Sequence, residues 1–164
     1  MKTDMMNPKA ISLEDKKLKP VVENLHDLLA NYHIYYQNLR GCHWNIKGPH
    51  FFTLHAKFEE LYTAAITTID ELAERILTLG KDPESRFTVF AQQAEIAEMD
   101  TIGMKDTDMV KAIIGNLSIL IAQERDLLTL TSEADDEGSN DMINAFMQFN
   151  EKQNWMLRSF VNKI

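Results

Sequence analysis

The stretch FFTLHAKFEELYTAAITTIDELAERILTLG, residues 51–80, sets Phe51, His55, Phe58, Tyr62, Ala65, Ile69, Ala73 and Ile76 three or four positions apart. That interval is one stripe of an α-helix, whereas a half-buried strand would alternate with period two. The helix is expected to stop at Gly80, with Pro83 just beyond, because glycine closes a helix cheaply and proline cannot continue it. An amphipathic helix of this length needs long partners, and the flanking sequence supplies three. One runs from about Pro20 to Trp44, with Val22, Leu25, Leu29, Tyr32, Tyr36, Leu39 and His43 on its stripe, and ends at the Asn45–Pro49 turn. Another starts near Asp106 or Thr107, either a good N-cap, and reaches about Leu130. The last covers roughly Asp141–Lys163 after an acidic, Gly-containing stretch at Ser132–Asn140. Arg86–Ala94 predicts a short extra helix in the connection between the second and third. No segment alternates over strand length, so the fold expected is an all-α four-helix bundle.

Length and composition bound what such a bundle can be. At 164 residues, 45% hydrophobic and 26% charged, with 6 Gly and 4 Pro, the chain is one domain and neither fibrous nor disordered. Residues 1–19 are expected to form a flexible N-terminal tail and residues 20–164 the bundle. The net charge of -8 is uneven. The first twenty residues carry five Lys against Asp4, Glu14 and Asp15, which leaves the rest strongly acidic. Such a body repels nucleic-acid phosphates and attracts cations. The lone Cys42 cannot form an intrachain disulfide, the N-terminus has no secretory apolar region, and no apolar run is long enough to span a bilayer. A cytoplasmic protein without a membrane partner is expected.

Within the second helix, His55 and Glu59 form one i, i+4 pair, and Asp70 and Glu74 another. Glu59 and Asp70 differ by about 20° around the axis, so both pairs share a face, yet about 16 Å of helical rise separates them. One chain cannot close a site from both, because metal–oxygen bonds are about 2 Å long. Two second helices packed antiparallel about a twofold axis between Ala64 and Ala65 can close it twice. His43, twelve residues before His55, can fold back across the Asn45–Pro49 turn to add a second imidazole. Two His and three carboxylates without a thiolate suit iron or manganese better than structural zinc. An intrachain dimetal centre is not expected: Glu23-Asn-Leu-His26 is the sole Glu-x-x-His, and the second half of the chain has no His. His26, His33 and His50 lack such company and read as structural or exposed. Trp44 and Trp155 read as core or interface residues.

Gly41-Cys-His-Trp-Asn-Ile-x-Gly-Pro-x-Phe-Phe-x-Leu-His55, then Phe58-Glu-Glu-Leu-Tyr62, Asp70-Glu-Leu-Ala-Glu-Arg75 and the ending Asn154-Trp-Met-Leu-Arg-Ser-Phe160 together resemble the Dps family of mini-ferritins. The resemblance covers about residues 20–163. It implies a homododecameric shell built from twofold dimers, with ferroxidase centres between subunits. There Fe(II) is oxidised, with hydrogen peroxide preferred over dioxygen, and Fe(III) is stored as mineral without an organic cofactor. Carried over by position, His43, His55 and Glu59 belong to one subunit and Asp70 and Glu74 to its mate. Glu59 departs from the Asp often found there. Trp44 matches a tryptophan beside the centre, proposed in the family to absorb stray oxidising equivalents. Asp135, Asp136, Glu137 and Asp141 fall where the family lines threefold iron-entry pores. A Lys-rich tail binds DNA in some relatives; here the tail lysines are diluted by acids, and the acidic body disfavours the alternative of a nucleoid-compacting role.

Overall fold

The computed structural model describes residues 11–161. Five helices follow one another: α1 (Asp15–Asn45), α2 (Phe51–Thr78), the short α3 (Phe87–Gln93), α4 (Asp106–Glu133) and α5 (Glu137–Val161), with no strand among the described residues. α1 packs along α2, α4 along α5, and α1 also against α4, so the four long helices close a bundle. The stripes meet inside it: Leu25, Leu29 and Leu39 of α1, Phe58, Leu72 and Ile76 of α2, Ile113, Leu117 and Leu120 of α4, and Ile143 of α5 are buried. Each such side chain contributes about 1.5–3 kcal/mol by leaving water.

The boundaries differ from expectation where packing overrides local signals. α1 begins at Asp15, five residues before Pro20, because Leu18 is buried and continues the inner stripe by one turn. Pro20 therefore lies past the first turn and withholds one helical N–H near the open end of α1. Lys16, Lys17 and Lys19 are thereby helical residues, while residues 1–10 of the expected tail, with Lys2 and Lys9, lie outside the described residues. The loop expected at Ser132–Asn140 shrinks to Ala134–Asp136, with Asp135 in the left-handed region (φ 57°). Buried Thr131 prolongs α4, and buried Asp136 and Ser139 start α5 early. The N-cap position of α4 is Lys105; the Asp106 carboxylate instead accepts from the Thr107 N–H and from His50.

α3 lies on α1 through His33, whose ring stacks on Phe90 at 4.0 Å and meets Phe87 edge-on at 6.0 Å. Its following loop is satisfied by buried amides of α1: Asn31 Oδ1 accepts the Ile96 N–H, and Asn38 accepts from Met99 and donates to the Ala97 carbonyl. At the middle of the bundle sits a fully buried acid, Glu124 of α4. The Tyr32 hydroxyl and the Asn150 amide each donate to its Oε1 at 2.8 Å, while Oε2 has no hydrogen-bond partner among the described residues. Burial pushes this carboxyl up to about 8 against the two donors, because a neutral acid is far cheaper to bury than a charge.

The native state thus holds a proton on Glu124 that the unfolded chain releases between pH 4.5 and about 8. Stability is lost as pH rises through that interval, by up to about 1.4 kcal/mol per pH unit from this group. Urea unfolding of Glu124→Gln at pH 5 and pH 8 should show a flatter pH dependence and a gain over wild type that grows with pH. Parallel curves for the two proteins would mean that Glu124 ionises as it does in water.

Candidate functional site

The five-residue connection between α1 and α2 forces the end of one helix beside the start of the next. Gly48 permits the reversal with φ at 105°, a conformation that a Cβ disfavours. His50, just before α2, bonds Asp106 at 2.7 Å and ties the turn to α4. Across this turn two histidines grip each other's backbones. His43 Nδ1 lies 2.8 Å from the His55 carbonyl oxygen, and His55 Nδ1 lies 2.9 Å from the His43 carbonyl oxygen. A carbonyl only accepts, so each Nδ1 carries the proton and donates it. In the neutral rings both Nε2 atoms are then left with a free lone pair, the form in which imidazole binds metal. The rings stack at 3.7 Å and 18°, and Phe51 stacks on the other face of His55 at 4.9 Å.

Glu59 lies one helical turn beyond His55. One ligand atom from each of His43, His55 and Glu59 falls within 4.8 Å of the others, so the structure brings these three expected residues together. Both histidines are half-buried and Glu59 is exposed, which leaves the open side of the group towards solvent. Two imidazoles and one carboxylate can hold a divalent cation with coordination positions to spare. Asp70 and Glu74 are not part of this group. α2 is unbroken from Phe51 to Thr78, so they stay about 16 and 22 Å beyond Glu59 along it, exposed and with no ion pair among the described residues.

Trp44 and Trp155 are both exposed, at 58% and 59%, so neither is a core residue. The Arg40 guanidinium covers the Trp44 ring at 4.6 Å. The acidic run separates into different roles. Asp136, one of the four expected pore acids, is 1% exposed within the chain; its Oδ1 takes the Arg75 guanidinium at 2.5 Å, and the same oxygen accepts the Ser139 N–H in the first turn of α5. Arg75 also donates to the Ser139 hydroxyl, and Gly138 makes room for it, since a Cβ there would lie 2.8 Å from Nη2. Asp135 is exposed but paired with Lys17 at 2.7 Å. Glu137 and Asp141 are exposed and without an ion pair among the described residues.

The sequence assigned no role to Tyr62, whose ring meets His43 edge-on at 5.3 Å, or to Arg75, which pairs with buried Asp136. Tyr62 stood on the stripe of α2 and read as packing; the partner of Arg75 lies 61 positions away, beyond any local signal.

A family model described as a ferritin-like domain matches residues 22–164. The chain is therefore a ferritin-like protein. Among solved structures, the Dps protein from Vibrio cholerae O1, described as a member of a broad superfamily of ferritin-like diiron-carboxylate proteins, superposes with a TM-score of 0.88 at 41% identity, covering 92% of this chain and 94% of that one. Dps from Bacillus brevis gives a TM-score of 0.86 at 37% identity, over 89% of this chain and 97% of that one. The DNA protection during starvation protein of Porphyromonas gingivalis is 40% identical over 92% of this chain and 94% of its own length. The chain belongs to the Dps family.

Removing charge from the acidic run should separate its members. Asp136→Asn strips Arg75 of a buried partner and should lower unfolding free energy by about 2–4 kcal/mol. Asp141→Asn, on an exposed position, should stay within about 0.5 kcal/mol. Thermal unfolding of both variants checks this; an Asp136→Asn variant as stable as wild type would return that residue to the surface role.

Proposed function

We propose that this protein binds Fe(II) at centres shared between twofold-related subunits, oxidises it there, and stores the Fe(III) product as mineral inside a dodecameric shell. Two Fe(II) give up one electron each as the O–O bond of one hydrogen peroxide is cleaved to two hydroxides. Consuming both reagents together limits hydroxyl-radical damage. The acidic body, at a net charge of -8, draws Fe(II) and opposes DNA phosphates.

The observation that carries the reading is the exposed face of α2. Around the helix, Ile66, Asp70, Leu77 and Phe52 all point within about 20° of Glu59. Ile66, Leu77 and Phe52 are exposed by 50%, 42% and 87%. In an antiparallel pair of α2 helices about an axis between Ala64 and Ala65, Glu59 of one lies beside Asp70 of the other, and His55 beside Glu74. The same register sets Phe52 against Leu77, so exposed apolar residues meet wherever the carboxylates complete the ligand group. Exposed apolar side chains and uncompensated acids on one face are costly in a monomer, and one pairing relieves both.

Mixing subunits tests it. His43→Ala and Asp70→Ala chains, each expected to lose most ferroxidase activity, are unfolded together and reassembled. A mixed dimer then contains one intact centre of its two, so activity should return to a substantial fraction of wild type, measured as peroxide-driven Fe(III) absorbance. Mixed dimers confirmed by mass spectrometry but as inactive as either parent would refute the shared centre.

A further inference from the structure

A pocket of about 270 Å³ opens between α2 and α5. Buried Tyr32 and Tyr35 of α1 and buried Asn150 of α5 form its inner end, and exposed Thr67, Glu71 and Phe149 its mouth. The wall supplied by α2 runs from Leu61 to Glu71, about 15 Å of helix, which is room for an extended chain. Around α2, Thr68 and Glu71 point about 180° and 120° away from Glu59, so the pocket stands clear of the face along which two α2 helices are proposed to pair.

Nearly every side-chain donor lining this pocket is already used. The Tyr32 hydroxyl donates to Glu124 Oε1 at 2.8 Å, and the Asn150 amide gives its protons to the Tyr32 oxygen at 2.7 Å and to Glu124 Oε1 at 2.8 Å. The Thr67 and Thr68 hydroxyls donate back to the Thr63 and Ala64 carbonyls at 3.4 and 3.3 Å. Tyr35 alone keeps an uncommitted hydroxyl, and a hydroxyl accepts as well as donates. What the pocket offers a ligand is therefore acceptors: Asn150 Oδ1, the two threonine oxygens and the Glu71 carboxylate, which has no ion pair among the described residues.

Such a lining turns away anions and selects donors that carry positive charge. It also suits a hydrated divalent ion poorly, because a hard cation asks for several charged oxygens or keeps its waters, and here one carboxylate stands beside walls of Leu61, Ala65 and Phe146. An organic cation fits both halves: its charged end meets the acceptors, its chain leaves water against the apolar wall, and aromatic rings attract it. Tyr35 and Phe146 supply those rings, each in an edge contact with Tyr32 at 6.1 and 6.4 Å. We propose that this pocket binds a short primary alkylammonium ion with a second hydrogen-bond donor at its far end, as in an amino alcohol. The ammonium donates to Glu71 and the threonine oxygens at the mouth, the chain runs inward along Leu61 and Phe146, and the far hydroxyl donates to Asn150 Oδ1.

Isothermal titration of the full-length protein with 5-aminopentan-1-ol at neutral pH and low salt tests it. Wild type should bind one molecule per chain with a Kd below about 1 mM, and Glu71→Gln should weaken binding about tenfold. Glu133→Gln removes an equally exposed acid elsewhere on the bundle and should leave the affinity unchanged, which separates the pocket from general attraction to an acidic surface. The trimethylammonium form of the same molecule keeps the charge but has no N–H to donate, and it should bind several-fold more weakly. A crystal soaked with the amino alcohol should show its nitrogen within hydrogen-bond distance of Glu71 and its chain against Phe146. No saturable binding by wild type, equal affinity in Glu71→Gln, equal binding of the trimethylammonium form, or density only outside the pocket overturns the proposal. Displacement of the amino alcohol by an equimolar amount of Mn(II) overturns it too and makes the pocket a metal site.

Discussion

Two hydrogen bonds running in opposite directions, from the His43 ring to the His55 carbonyl and from the His55 ring to the His43 carbonyl, join the end of α1 to the start of α2. They do three things together. The His43 carbonyl belongs to the last turn of α1, where backbone acceptors have no helical partner, so the His55 ring satisfies one of them. The pair draws the two helices together at the end where their stripes must meet, and α1 against α2 is one of the main contacts of the bundle. It also assigns the ring protons, which leaves both Nε2 atoms available. The same atoms that hold the helical hairpin together therefore prepare the ligands.

Away from that corner, buried polar groups decide how the helices sit along one another. Leucines pack almost as well one turn up or down, whereas a buried carboxylate or amide accepts few positions. Glu124 is satisfied only where α1 offers Tyr32 and α5 offers Asn150 at the same level. Arg75 fixes α2 against the start of α5 through Asp136 and Ser139, and Asn31 and Asn38 hold the loop after α3 onto α1. With the helices locked in this register, His43 from the end of α1 meets His55 and Glu59 near the start of α2, and Asp70 and Glu74 lie about 16 and 22 Å beyond Glu59 on α2. A centre that used all five would have to draw on two chains.

The surroundings of the site divide into packing and chemistry. Phe51 and His55 stack and exclude water from one side of the histidine pair. On the other side Tyr62 and Tyr36 form an edge-to-face series leading into α1, beneath Arg40. Aromatic contacts of this kind hold a core together. The acidic run shows the reverse division: a cluster that looked functional contains one acid used to start α5, one paired with Lys17, and two left to solvent.

By itself the sequence determined the four long helices, the short α3, the all-α class, and the residues of the His43–His55–Glu59 group, because hydrophobic period, glycine punctuation and i, i+4 spacing are local properties of the chain. It also implied that Asp70 and Glu74 cannot join that group within one chain, since helical rise is the same in every α-helix. Only the tertiary structure decided that α1 reaches back to Asp15, because that depends on Leu18 finding a buried place. The same holds for Asp136: its sequence neighbours are acids, but in the folded chain its environment is Arg75, 61 positions away, and burial among distant residues leaves no local trace. The ring protons of His43 and His55 belong to this second kind too, because a tautomer is chosen by the atom opposite the nitrogen, and that atom arrives only when two helices meet.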